Sequence, residues 1–344
     1  MLARAMETLQ RPIRKLQKSL TSRGLILMYH RVASEDMDPW ALRVTPQQFH
    51  EHLQVLQQYT NPISLQELAA AHREGNVPER ACAITFDDGY ANNLYNAKPL
   101  LAQQNVPATV FVTTAYTNQN QEFWWDELEQ ILLHPGQLPA QLELCINDKP
   151  QRWTLGQAAR YSELDYQRDC SLHVSAAQPG GRLAFYYSVW QALQPLEVER
   201  RQHQMGAIRT WAQVTPSVRP SHRPMTSDEL VELETGNLIE LGAHTVNHPL
   251  LSQQETAQQL DEISRSKASL EAVLGHSVVS FAYPFGVYGP ETPGIVRAAG
   301  FHCACSVFEE TVWNRSDAFQ LPRFEVRGCS GQELENCLQT WFQM

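Results

Sequence analysis

The chain has no CxxC pair, and its seven cysteines form an odd set whose closest approach is Cys303-Ala-Cys305. That pattern excludes a disulfide framework and reads as reduced, mostly buried thiols. Basic residues are in deficit: 27 Lys and Arg stand against 37 Asp and Glu, a net charge of -10. A nucleic-acid coat must neutralise phosphates, so that class is excluded. No apolar run approaches the ~18–20 residues of a membrane span. There is no HExxH segment, so a zincin-type protease has no support, and there are no repeats or low-complexity tracts. What is present is a chain of 344 residues, 43% apolar and 19% charged, enough to bury a core. That length fits either two domains or one α/β barrel with an insertion.

Short apolar runs alternate with helical patterns. LILMYH (25–30), ACAITF (81–86), PATVFVTT (107–114), LIELGAH (238–244), SVVSFA (277–282), FHCACSVF (301–308) and LPRFEV (321–326) read as strands. Most are apolar throughout rather than alternating, as parallel strands covered on both faces require. Helices are expected at 46–59, 64–74, 91–104, 227–235, 256–274, 291–299 and 331–343. Capping boxes at Ser64/Glu67 and Thr226/Glu229 mark two of their starts. The rhythm breaks between 116 and 223, which reads as a mainly helical insertion with one hairpin turning at Asn147-Asp148. Barrel segments are therefore placed at 24–115 and 224–330, with a terminal helix in 331–344. Residues 1–23 put Leu2, Met6, Leu9, Ile13, Leu16 and Leu20 on one helical stripe opposite a basic face. They lack the apolar core of a secretory signal. The expectation is a cytoplasmic chain, with peripheral contact to the inner membrane face through this segment.

Chemistry collects at the C-terminal ends of the strands, where α/β barrels build their sites. His30 ends the first. Asp87-Asp88-Gly89 ends the second, and adjacent carboxylates there point in different directions and so can take different jobs. His244 and His248, four residues apart, can converge on one ion. Two imidazoles and a carboxylate leave coordination positions open, as in a catalytic metal site. Ligand type favours Zn2+, with Ni2+, Co2+ and Fe2+ as alternatives. Tyr283 and Phe285 are expected to line a substrate groove, with Trp124 or Trp125 forming part of its wall.

Together Thr85-Phe86-Asp87-Asp88-Gly89, His244-Thr245-x-x-His248 with Pro249 and Leu251, and Phe281-Ala282-Tyr283-Pro284-Phe285-Gly286 resemble the polysaccharide deacetylase family, the NodB-homology, carbohydrate esterase type. The resemblance implies a distorted (β/α)7-type barrel. It also implies a metal-dependent hydrolase of non-peptide carbon–nitrogen bonds, removing N-acetyl or N-formyl groups from amino sugars. The substrate would be a polysaccharide, an oligosaccharide or a lipid-linked precursor. By the motif match Asp88, His244 and His248 are the metal ligands and Asp87 the general base. The chain departs from the family in two places. No histidine follows residue 302, so the usual late Leu-x-His acid is missing. The Tyr29-His30 pair resembles instead the early motif of the circularly permuted poly-N-acetylglucosamine deacetylase-like branch, which puts His30 in the acid role, with His222 and His302 behind it. The motif around 280–286 lacks the base-orienting arginine. Arg323, otherwise a substrate contact, or Arg223 is left to pair with Asp87, and Asp317 to brace Arg323. Two competing readings are an amidohydrolase of small cyclic amides and a catalytically inactive carbohydrate-binding barrel.

Overall fold

The computed structural model describes residues 22–35, 37–215 and 217–343. All but the last two residues of the amphipathic segment 1–23 lie outside them. Seven parallel strands make the path of the eight-stranded main sheet: β1 (Leu25–Tyr29), β2 (Ala81–Phe86), β3 (Ala108–Val112), β4 (Ile239–Ala243), β5 (Ser280–Ala282), β6 (Cys303–Cys305) and β7 (Phe324–Glu325); the eighth, Asn61–Pro62, pairs with the start of β2 off that path. β1 to β6 lie side by side in chain order, and β7 adds beside β1. The sheet curls. Leu321 N donates to Ala304 O at 2.8 Å, and Ser306 N to Leu321 O at 2.8 Å, so the approach to β7 bonds to β6 and brings the two ends of the sheet together. This is the expected distorted seven-stranded barrel. β5 to β7 are shorter than the apolar runs suggested; of LPRFEV only Phe324–Glu325 forms the strand, because Leu321–Arg323 serves the junction.

The strands are buried along nearly their whole length, as their mostly apolar sequences require; in β4 the carboxylate-bearing Glu240 is only partly buried. Each fully buried Leu, Ile or Phe contributes roughly 1.5–3 kcal/mol relative to exposure. Helices cover the outer face. Leu65–Glu74 begins in the Ser64/Glu67 capping box and stops at Gly75 in the left-handed conformation. Ser227–Glu234 begins in the Thr226/Glu229 box. The helix expected at 91–104 forms in two parts, a π-helical turn at Asn93–Ala97 followed by Lys98–Gln104. Among the described residues, no helix is long and apolar enough to cross a membrane. All seven cysteines are free, three of them buried, and Cys303 and Cys305 sit side by side on β6 rather than bridged.

Between β3 and β4 the chain builds a second apolar cluster. Its helices are Trp124–Leu132, Glu163–Cys170, Arg182–Leu193 and Val198–Ala212, the last two separated around Pro195. The hairpin pairs Gln141–Ile146 with Lys149–Thr154. Asn147 and Asp148 both take positive φ (51° and 62°), the conformation a two-residue hairpin turn demands. This cluster reaches over the barrel mouth: Met37, Trp40, Tyr90 and Phe285 pack into it.

Candidate metal centre and active site

Register decides what meets at the barrel mouth. Tyr29 pairs with Phe86, Val112 with Ala243, and Ala243 with Phe281, so the strands end level and the next residues share one surface. Asp87 N donates to Tyr29 O at 2.9 Å, and His244 N to Val112 O at 3.0 Å, extending the ladders by one step. Beyond them the backbone turns sharply. Asp88, Thr245, His248 and Phe285 all take positive φ (73°, 64°, 55° and 56°). For a β-branched residue such as Thr245 this is a genuine outlier, and strain of this kind concentrates at functional sites. Gly89 adopts φ +84° with Val112 against its Cα, where a side chain would meet atoms at 3.3 Å.

Asp88, His244 and His248 converge as the motif implied, each offering one ligand atom within 4.8 Å of the others. His244 Nε2 lies 3.6 Å and His248 Nε2 3.4 Å from Asp88 Oδ1. His244 Nδ1 donates to Ala282 O at 2.8 Å, which leaves the Nε2 lone pair facing Asp88. Burial lowers the His244 pKa to about 4 and pushes His248 down further, so both imidazoles are neutral, as ligands must be. Asp88 is the counterpart: burial, and then Asp87 beside it, drive its pKa well up. A buried carboxylate facing two neutral imidazole nitrogens is a donor set that fits a divalent metal.

Asp87 is held differently. Burial would raise its pKa, but Arg323 and then His244 outweigh that and hold it well below the usual carboxylate range. Arg323 is fully buried and grips both Asp87 oxygens at 2.7 Å. Its remaining donors go to Thr85 Oγ1 at 3.1 Å and Ser306 O at 2.9 Å. Arg323 thus braces the carboxylate and is not a substrate contact. Arg223 is committed elsewhere, to Glu229 at 2.7 and 2.6 Å. Asp317 lies 3.8 Å from Arg297 and caps Phe319 N.

His30, on the far side of Asp87 from β3, lines the same cavity as both aspartates and both ligand histidines. Burial lowers its pKa, with Asp87 and Glu325 pulling the other way. His302 is exposed, away from the mouth. His222 is buried in a different cluster, with Asp126 and Glu129. There Arg219 binds Glu122 at 2.8 Å and Glu129 at 2.9 Å, Arg31 lies 4.0 Å from Asp126, and Tyr90 OH donates to Asp126 at 2.7 Å. Two guanidinium groups offset these carboxylates, and the cluster bolts the inserted helix to the residues following His30 and Asp88.

The aromatic expectations are partly overturned. Tyr283 is buried in the barrel wall, its ring on Tyr288 and its hydroxyl donating to Phe319 O at 2.7 Å, because the strand's alternation turns it away from the mouth. Trp124 points into the inserted cluster, with Arg201 stacked on it. Phe285 and Trp125 do line the cavity, 4.4 and 4.9 Å from the His248 ring. Sequence reasoning missed Trp40, Trp190 and His173, which line it from above. It also missed Glu262, whose carboxylate accepts from the backbone N–H groups of Val246 and Asn247 at 2.8 and 2.9 Å and so sets the loop carrying His248.

The fold and site define a curled parallel α/β barrel with a candidate carboxylate–imidazole metal-ligand set at its mouth, beside a second, Arg-braced aspartate. Comparison with known proteins narrows this. Residues 74–137 and 205–304 match the model of the polysaccharide deacetylase family. The polysaccharide deacetylase homologue YxkH of Bacillus subtilis (strain 168) is 27% identical over 111 residues, 32% of this chain and 38% of that one. The chain thus spans well under half of that relative. The deacetylase PplD of Streptococcus pyogenes, solved in complex with acetate, superposes with a TM-score of 0.58 at 19% identity, over 93% of this chain and 99% of that one. IcaB of Ammonifex degensii superposes at 0.55 and 17% identity, over 94% and 98%. The two matched stretches, just under half of the residues, carry the polysaccharide deacetylase domain signature.

Proposed function

We propose that the chain hydrolyses the N-acetyl group of an amino sugar in a glycan or glycolipid precursor. The observation that carries this is the convergence of Asp87, Asp88, His30, His244 and His248 on one cavity. A binding barrel has no use for a ligand set next to a braced base. A divalent ion held by Asp88, His244 and His248, with Zn2+ first by donor type, would supply Lewis acidity and lower the pKa of a water at the site. Asp87, kept ionised and aimed by Arg323, takes the proton of the attacking water. The carbon–oxygen bond forms in that attack, and His30 then gives a proton to the amine nitrogen as the carbon–nitrogen bond breaks. Acetate rather than formate is favoured by the acetate bound to PplD.

The test is acyl release from a panel of N-acetyl and N-formyl amino sugars, run beside metal analysis. Acetate release that Asp87→Asn abolishes supports the reading; bound metal without release from any member of the panel overturns it. His30→Ala is expected to keep its metal and lose about 10²-fold in kcat, the lower end of what a general acid contributes. Because the acid must be protonated, activity falls as pH rises through the His30 pKa. That alkaline limb is expected to vanish in His30→Ala, and a wild-type profile in the variant removes His30 from the acid role.

A further inference from the structure

We propose, resting on the reading above, that Trp40 and Trp190 make this a box for one sugar, so that the chain acts on a terminal N-acylated unit and not on the interior of a polymer. The cavity over the site is about 370 Å³, at the small end of the ~300–1,000 Å³ of ligand pockets. Its floor is the ligand set. Above it the aromatic rings run without a break: His248 to Phe285 at 4.4 Å, Phe285 to Trp190 at 6.1 Å, and Trp190 to Trp40 at 4.3 Å. Apolar faces of this kind match the C–H faces of a pyranose ring and offer nothing to hydroxyl groups. Two of the rings come from outside the barrel core, Trp190 from the inserted helix Arg182–Leu193 and Trp40 from the loop after β1.

The box is rigid. Trp40 Nε1 donates to Tyr186 OH at 2.8 Å, Val174 N to Pro39 O at 2.7 Å, and Asp38 accepts from Leu42 N and Arg43 N at 3.1 and 2.9 Å. Charged side chains on the rim are confined to one flank, where Glu325 and Arg327 pair at 2.8 Å beside β7. The rest of the rim, from Trp125 and Trp190 to Phe285, is apolar. A chain threading the site would place hydroxyl-rich neighbours on both flanks, and those against the apolar flank would lose their hydrogen bonds to water without replacement, a cost per group of about 1–3 kcal/mol. A terminal unit leaves its remainder, glycan or lipid carrier, on the polar flank alone.

The experiment uses the full chain loaded with Zn2+ and a reduced pentamer of N-acetylglucosamine. Mass-spectrometric sequencing of early products is expected to show deacetylation at one end unit; comparable deacetylation of interior units overturns the proposal. Trp190→Ala is expected to raise KM about tenfold, the scale of a buried aromatic anchor, with a much smaller change in kcat, and Trp190→Phe to restore most of it. An unchanged KM in Trp190→Ala also overturns it. If the wild type turns over no sugar, calorimetric binding of the N-acetylglucosamine monosaccharide to Asp87→Asn protein separates the two readings. Binding that Trp190→Ala weakens tenfold keeps the box while the hydrolase reading fails, and no binding removes both.

Discussion

Asp88→Asn is expected to drop bound divalent metal from one equivalent per chain to none and to lower kcat by about 10³- to 10⁴-fold, the several kcal/mol that a metal-polarised carbonyl is worth. A neutral amide cannot replace the only anionic member of the set: His244 and His248 are both held neutral by burial. The stability of the variant separates this from simple misfolding. In metal-free protein the Asp88 carboxylate is buried beside the Asp87 carboxylate, and its raised pKa records the cost of ionising it there. Metal-free Asp88→Asn is therefore expected to melt no lower than metal-free wild type at pH 7. Zn2+ at about 100 times its Kd adds roughly 2.7 kcal/mol to a protein that binds it. That rise in Tm is expected in the wild type and not in the variant. A variant that still binds one equivalent sinks the ligand assignment, as does a wild type whose Tm is insensitive to Zn2+ while it turns over substrate.

The barrel was legible because its physics is local. A strand covered on both faces is mostly apolar rather than alternating, and most of the seven announced themselves in that way. The ends of those strands also advertised the site, since a polar residue closing an apolar run marks where the sheet meets solvent. The role of Arg323 was not legible. It lies 236 residues from Asp87, and the contact exists only because β7 inserts beside β1. From sequence alone Arg223 was an equal candidate, and only the fold gives it to Glu229. The aromatic errors have a similar cause. Alternation at the end of β5 puts Tyr283 in the wall, and the positive φ of Phe285 throws the next ring but one over His248. No rule on spacing foresees that backbone step. Adjacent tryptophans on a helix had to face differently, but which one faces the site depends on how the inserted helix is bolted down by Asp126. Trp190 had a faint signal, an aromatic-rich stretch Phe185-Tyr186-Tyr187 with Trp190 one turn on. Trp40 and Glu262 had none.

Asp87→Asn is expected to retain its metal and lose about 10³-fold in kcat, within the ~10²–10⁴ of general-base catalysis. Asn keeps the shape and one acceptor for Arg323 but leaves the buried guanidinium without its counter-charge, so the variant is expected to melt below wild type while still binding metal and losing proton transfer. Arg323 offers the sharper test, because it acts through Asp87. Arg323→Met leaves a buried carboxylate without its partner, which costs about 3–5 kcal/mol of stability. The sign of the pH effect follows from the pair. In the wild type Arg323 holds the Asp87 pKa low, so the base stays ionised well into acid and the acidic limb of kcat/KM lies low. Without the guanidinium, burial is opposed only by His244 and His30, the Asp87 pKa rises, and the acidic limb is expected to move toward neutral pH, with activity partly recovered at higher pH. The linked stability has the same sense. A carboxylate depressed in the folded state stabilises above its unfolded pKa and loses that contribution as pH falls, so the gap in Tm between wild type and Arg323→Met is expected to narrow below about pH 4. The double variant Asp87→Asn/Arg323→Met has no stranded charge and is expected to be more stable than Arg323→Met alone at neutral pH. An acidic limb left in place, with stability lost equally at all pH values, would reduce Arg323 to a packing residue and reopen the question of what aims the base.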